Sequence, residues 1–432
     1  MFSRIVRALW GDLTSEELKK FSMLSLTFLF IIGTYWLMRP LKDALFMKIV
    51  GKLYIPYAKM ASLLFVVPLI LVYSKLVDLV AKHKLFYVIC TFYSGLFLVI
   101  SYFLAHPTIG LANTTPDKSR LLGWVIYLGI ESFGSLVVTL FWSFVASTTN
   151  AAAAKRGYGL IIAGAQIGSI TGPTIATYAE YLGMPMLAKV VAAGIFMVPL
   201  LILLFVTVHP SAAVEKASEK KATGPIEGLR LLLSNKYLLG ILGVATLYEI
   251  IGTILDYQMK FIADETYQSA EKVTQFLGYF GQSANVLSLV FALVGTSFFI
   301  RRFGLTTCLV LFPLTIGAVV LYVFFSPSLW AFFGAMVAIK GLSYALNNPC
   351  KEIMYIPTSK DVKFKAKSWI DVFGGRSAKA AGSGINAFFP AMTELLFYGS
   401  LISLGVVGVW VLIALYVGKT NERLTQENTI IQ

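Results

Sequence analysis

The sequence predicts an all-α membrane protein with twelve transmembrane helices in two six-helix pseudo-repeats. Three observations predict it. Of the 432 residues, 57 % are hydrophobic and only 13 % are charged, a balance that excludes a soluble multidomain enzyme. Charge-free runs of about 20 residues, long enough to cross a bilayer as helices, recur along the chain. A polar stretch at 209–236, carrying Glu215, Lys216, Glu219, Lys220 and Lys221, separates six such runs from six more. The net charge of +14 falls mostly in short loops, which is the positive-inside pattern; it calls for membrane lipid and not for nucleic acid as a partner.

Residues 1–20 come first. They lack the long apolar core and small-residue cleavage site of a signal peptide and contain Asp12, Glu16 and Glu17. Thr14 with Glu17 fits a capping box, so a short amphipathic helix on the cytoplasmic face is expected. The first bundle, 21–208, holds spans at 21–48, 59–80, 85–105, 121–150, 157–181 and 187–208. The linker 209–236 follows. The second bundle, 237–418, holds spans at 237–262, 273–300, 304–326, 329–357, 368–393 and 396–417, before a tail at 419–432. Ser326-Pro327-Ser328 supplies the turn inside the charge-free stretch 303–339. Lys75, Lys82, Lys84, Lys155, Arg156, the linker, Arg301, Arg302, Lys360, Lys363, Lys365 and Lys367 share one side with both termini. Lys52, Lys59, Lys118, Arg120, Lys189 and Lys272 are scattered near the opposite loops. The more basic side is the expected cytoplasmic one.

Charges inside spans then mark candidate sites. Span one ends in YWLMRPLKDALF, where Arg39, Lys42 and Asp43 share a helical face. An ionised side chain deep in a bilayer costs roughly 2.5–3.5 kcal/mol, so this cluster lines a polar interior or snorkels to an interface. Pro40 is expected to interrupt the helix hydrogen bonds there, as happens where backbone lines a cavity rather than lipid. In span ten, Lys340, Tyr344, Asn347 and Lys351 fall at i, i+4, i+7 and i+11, the spacing of one helical stripe, with Asn348 and Glu352 beside it. That stripe lines a cavity or forms a structural polar network. Span eleven carries Asp371, Arg376 and Lys379 among small residues that permit close packing. Glu131, Ser135 and Thr139 mark span four; Glu249, Asp256 and Lys260 mark span seven. Glu131 and Glu249 pair with lysines or carry a proton.

Cys90, Cys308 and Cys350 lie in apolar segments without metal-ligand spacing and read as reduced packing residues. His83, His106 and His209 fall at segment ends. No G-x-x-x-x-G-K-[ST] loop and no nucleophile or metal constellation is present, so neither an ATP-driven motor, an enzyme nor a cofactor is expected.

The halves retain traces of duplication. IIGT at 31–34 recurs at 250–253, and Lys155, Gly164 and Gly172 match Lys365, Gly374 and Gly382. This order resembles the parallel six-helix repeats of the major facilitator fold, whose members bind substrate between the halves and expose it alternately. The chain further resembles the bacterial and plastid nucleotide transporters, the ATP/ADP translocases. The residues that carry this are Arg39, Lys42 and Asp43; Glu131 before Phe133-Gly134-Ser135; and Phe141-Trp142-Ser143-Phe144. Lys155-Arg156, KEIMYIP from Lys351, the lysine run from Lys363, and Arg376 with Lys379 complete it. The resemblance implies a secondary transporter of a bacterial inner membrane, working by exchange or by proton symport. It implies that Arg39, Lys42, Lys351, Arg376 and Lys379 contact phosphates, with Tyr35, Tyr344 or Trp142 stacking on the base and Asn347 or Asn348 bonding to it. It leaves the oligomeric state open, a monomer included. Where the alignment expects a glutamate and, four residues on, a lysine, this chain has Gly252 and Asp256. A different nucleotide, another anionic phosphorylated metabolite, and a non-transporting membrane scaffold therefore stay open.

Overall fold

A computed structural model describes residues 13–210, 225–294, 296–359, 362, 366, 367, 369–427 and 429–431. Residues 1–12, most of the expected linker, and Lys360, Lys363 and Lys365 lie outside the described residues. Each expected span coincides with a helix or a helix continued through a π turn, and eight helices are long and apolar enough on their own to cross a membrane. The helices are α1 (Ser15–Ile49), α2 (Ile55–Leu79), α3 (Lys82–Ala105), α4 (Leu121–Thr148), α5 (Ala151–Ala176), the short α6 (Ala179–Leu182) and α7 (Met184–Val208). They continue as α8 (Pro225–Ser234), α9 (Lys236–Thr266), α10 (Ala270–Val294), α11 (Thr296–Phe325), α12 (Leu329–Leu342), α13 (Asn348–Met354), α14 (Gly375–Phe388) and α15 (Met392–Gln426). Contacts divide the chain into two compact units. The first is Met1–Tyr54, Ala61–Glu219 and Tyr267–Gln282; the second is Ile55–Met60, Lys220–Thr266 and Ser283–Gln432.

In the first unit α1 is the central element. The expected capping box is present, but it starts this spanning helix and not a separate short helix before it: the Thr14 hydroxyl accepts from the Glu17 amide at 3.2 Å while the Glu17 carboxylate accepts from the Thr14 amide at 3.1 Å. Glycines of α5 let the two backbones touch, because a Cβ on Gly168 would lie 2.5 Å from the Leu29 carbonyl oxygen and 2.9 Å from the Gly33 nitrogen. Gly164 meets Ser25 and Gly172 meets Gly33 in the same way. Asn150 caps α5, its side chain accepting from the Ala153 amide at 2.8 Å.

The second unit repeats this seam. A Cβ on Gly374 would reach Thr246 at 2.8 Å, and one on Gly382 would reach the Ile250 carbonyl oxygen at 2.8 Å. The glycines matched between the halves, 164 with 374 and 172 with 382, therefore play the same part. Each seats its helix against the first span of its own half. The core here is aromatic and aliphatic, with Trp410 fully buried against Phe312. Gly304, at φ 78°, breaks the helical path of α11, where a turn between spans was expected. The tail folds back, the Ser359 amide donating to the Ile431 carbonyl at 2.8 Å.

α1 runs through Pro40, which forfeits one backbone donor, a loss that a helix packed on neighbours tolerates. One expectation on span ten needs correction: the stripe from Lys340 to Lys351 is broken. Ser343–Asn347 form a π turn and Ile370–Gly374 form another. The wider turn shifts the register, leaving Tyr344 45 % accessible and Asn347 only 3 %.

Candidate functional site

Within the first unit, helical spacing on α1 and α4 gathers Tyr35, Arg39, Lys42, Asp43 and Glu131 within electrostatic reach of one another. The Lys42 side chain is 8 % accessible; its ammonium donates to Glu131 Oε1 and lies 3.9 Å from Asp43 Oδ1. It also sits 4.5 Å from the ring centre of Tyr127. A buried ammonium persists only where opposite charge and hydrogen bonds replace water, and the carboxylates and ring supply them. Gly134 leaves the space that the Tyr35 ring fills. The Arg39 guanidinium stacks 4.6 Å from the Trp36 ring. Arg39 and Lys42 are thus balanced by Asp43 and Glu131.

Within the second unit, the two π turns flank a denser cationic group. Lys379 Nζ lies 3.7 Å from Glu249 Oε2, with 57 % of the lysine side chain and 24 % of the glutamate accessible. The charges acting on the largely buried Lys351 are those of Glu249, Asp371, Lys379 and Glu352. Lys340 lies 5.6 Å from the Tyr248 ring centre. Lys367 donates to both Glu352 carboxylate oxygens at 2.7 Å, so that acid already serves a cation. Arg376 follows the second π turn on α14 and is half-buried. Lys351 and Lys379 thus lie among Glu249, Asp371 and Glu352, charges carried by membrane-spanning helices.

Other expected site residues stand apart. Trp142 packs in an aromatic cluster with Phe28 at 5.3 Å and Tyr158 at 5.5 Å, and eleven helical residues place it roughly 16 Å along α4 from Glu131. Asn347 is buried, and its amide nitrogen has no hydrogen-bond partner among the described residues. Asp256 bridges two lysines of its own unit, at 2.6 Å to Lys260 and 2.9 Å to Lys59. The Lys260 pairing follows from i, i+4 spacing; Lys59 looked like a loop charge but lies in the first turns of α2. Glu249 was expected to pair with a lysine or carry a proton, and Lys379 is a lysine it pairs with. Sequence reading missed Tyr127 and Tyr248 beside their lysines. The thiols of Cys308 and Cys350 meet inside the second unit, both free and buried. No group of His, Cys, Asp and Glu suited to a metal occurs among the described residues.

The sequence model of the TLC ATP/ADP transporter family matches residues 1–332 and 326–420. ADP,ATP carrier protein 1 of Rickettsia prowazekii is 24 % identical, the match covering 99 % of this chain and 98 % of the relative. ADP,ATP carrier protein 2, chloroplastic, of Arabidopsis thaliana is 28 % identical, over 95 % of this chain and 76 % of that one. Among solved structures, a bacterial homologue of the iron transporter ferroportin in its inward-facing state superposes with a TM-score of 0.66 at 15 % identity, covering 93 % of this chain and 99 % of the other. At that identity the likeness shows the fold alone, which is the major facilitator fold.

Proposed function

Because this chain belongs to the TLC ATP/ADP transporter family, we infer that it carries nucleotides across a bacterial inner membrane by alternating access, with both termini in the cytoplasm. It is a multi-pass transporter and not an enzyme. The observation that carries the nucleotide reading is the group of Lys351 and Lys379 with Glu249 and Asp371 on membrane-spanning helices beside the two π turns. Ionisable side chains within membrane spans mark substrate pathways. Phosphates suit lysines there, because charge-assisted contacts to phosphate are the strong ones.

In this reading the functional bundles are 21–208 and 237–418. Lys42 and Arg39 in the first unit, and Lys351, Arg376 and Lys379 in the second, are the proposed phosphate contacts. Tyr35 offers a ring beside the first group, and Asn347 offers an unused amide. Uptake into proteoliposomes of labelled mono-, di- and triphosphates, with sugar phosphates and inorganic phosphate as competitors, tests it. Saturable nucleotide uptake that sugar phosphates do not block is the expected result. A second reading, uptake of a less highly charged phosphorylated metabolite, is favoured by Asp256, which places an acid where the family resemblance expects a cation.

A further inference from the structure

The second unit holds a carboxylate that the phosphate contacts leave unexplained. Glu249 lies on α9, one turn before Gly252, and faces Lys379 at 3.7 Å with a quarter of its side chain accessible. It heads the charges that act on Lys351. The pair is loose: 3.7 Å lies beyond hydrogen-bond length, whereas Lys42 donates directly to Glu131 and Asp256 bonds two lysines within 2.9 Å. Compared with those two pairs this one is both open and weakly held, so an incoming anion can displace its acid.

We propose that Glu249 is the resident counter-ion of this cationic station, holding Lys379 and Lys351 while the carrier is empty and yielding them to a substrate phosphate. This rests on the nucleotide-transport reading and assigns Glu249 a positioning role in it. Two consequences follow with opposite signs. Glu249 competes with phosphate, so its charge weakens ligand binding. It also neutralises the empty station, so its charge speeds the empty carrier's return through the low-dielectric interior. Exchange passes only through loaded forms and does not need that return; net uptake does.

The experiment uses Glu249→Gln and Glu249→Asp, reconstituted in liposomes that are either filled with unlabelled ATP or nucleotide-free. Glu249→Gln is expected to tighten external nucleotide affinity by about tenfold, the equivalent of ~1.4 kcal/mol, and to reduce exchange far less than net uptake. Net uptake into nucleotide-free liposomes is expected to fall about tenfold or more by the same arithmetic. Glu249→Asp, whose shorter carboxylate keeps the charge, should shift both readouts in the same directions and by less. A purely structural role would lower exchange and net uptake together and leave affinity unchanged or weaker; that result overturns the proposal, as does a variant that matches wild type in every readout. Failure of the station differs from failure of the counter-ion. If Lys351→Ala and Lys379→Ala both retain full nucleotide uptake, the phosphate station itself is wrong; if they lose uptake while Glu249→Gln shows no split, only the counter-ion is wrong.

Discussion

The Lys42–Glu131 pair distinguishes a substrate ligand from a structural salt bridge, provided both partners are changed separately and together. Lys42→Gln or Glu131→Gln breaks a pair in which the lysine side chain is 8 % accessible and the glutamate 29 %. Losing one member of a buried pair costs roughly 3–5 kcal/mol; the glutamate's exposure places this case at the low end, about 3 kcal/mol. The double variant Lys42→Gln/Glu131→Gln removes both charges and recovers most of that loss, because no uncompensated ion is left. Substrate affinity behaves differently. A phosphate that loses its ammonium forfeits a contact of about 1.5–3 kcal/mol, or roughly 10- to 150-fold in affinity. The double variant cannot restore it. Thermal stability in detergent, read by monodispersity after heating, and the concentration dependence of nucleotide exchange in proteoliposomes measure the two quantities side by side. The expected result is recovery of stability in the double variant without recovery of affinity. Wild-type affinity in the double variant would refute Lys42 as a ligand and leave it a packing cation.

Four further outcomes are expected. Single cysteines placed at 220 and 115 should react with a membrane-impermeant thiol reagent from opposite sides; labelling from one side would break the topology. Gly168→Leu drives side-chain atoms into the Leu29 carbonyl and Gly33 backbone, an overpacking of about 3 kcal/mol or more that should abolish folded protein, while Gly384→Ala, with nothing within 4 Å of its Cβ, should express normally. Asp256→Asn withdraws the carboxylate from hydrogen bonds with Lys59 and Lys260 and should destabilise the protein by roughly 2–4 kcal/mol. In vesicles it should strengthen inhibition by triphosphates relative to monophosphates; an unchanged ranking places Asp256 outside the substrate path. Lys351→Ala should reduce nucleotide uptake about tenfold or more through the same loss of a charged contact, with normal amounts of protein in the membrane by immunoblot.

Helix placement was legible in the sequence because length and hydropathy alone decide whether a segment spans a bilayer. The first unit's charge cluster was legible too: Arg39, Lys42 and Asp43 lie within about a turn of one another, and Glu131 is a solitary charge in an apolar run, so few partners were available to it. Span ten was not. The Lys340–Lys351 stripe presumes an unbroken α-helix, and a π turn leaves no residue-type signature comparable to a proline or glycine. Lys59 escaped for a different reason. Its position near a loop matched the charge bias of that face, and only the three-dimensional packing brings it to Asp256, nearly two hundred positions away. Asp256 to Lys260 needed no such knowledge, because i, i+4 spacing pairs them on any helix.

A lysine within a span is thus ambiguous until its counter-charge is found, and the two units resolve it differently. In the first, Arg39 and Lys42 are matched by Asp43 and Glu131, so the station is neutral before any ligand arrives. In the second, Lys351 and Lys379 face Glu249 and Asp371, but the Glu249–Lys379 contact is long, at 3.7 Å. A phosphate displaces that loosely held acid more readily than the hydrogen-bonded carboxylate at Lys42. Substrate charge should accordingly be read mainly by the second unit: truncating its cations should flatten the preference among mono-, di- and triphosphates, whereas changes at Lys42 should weaken all three to a similar degree.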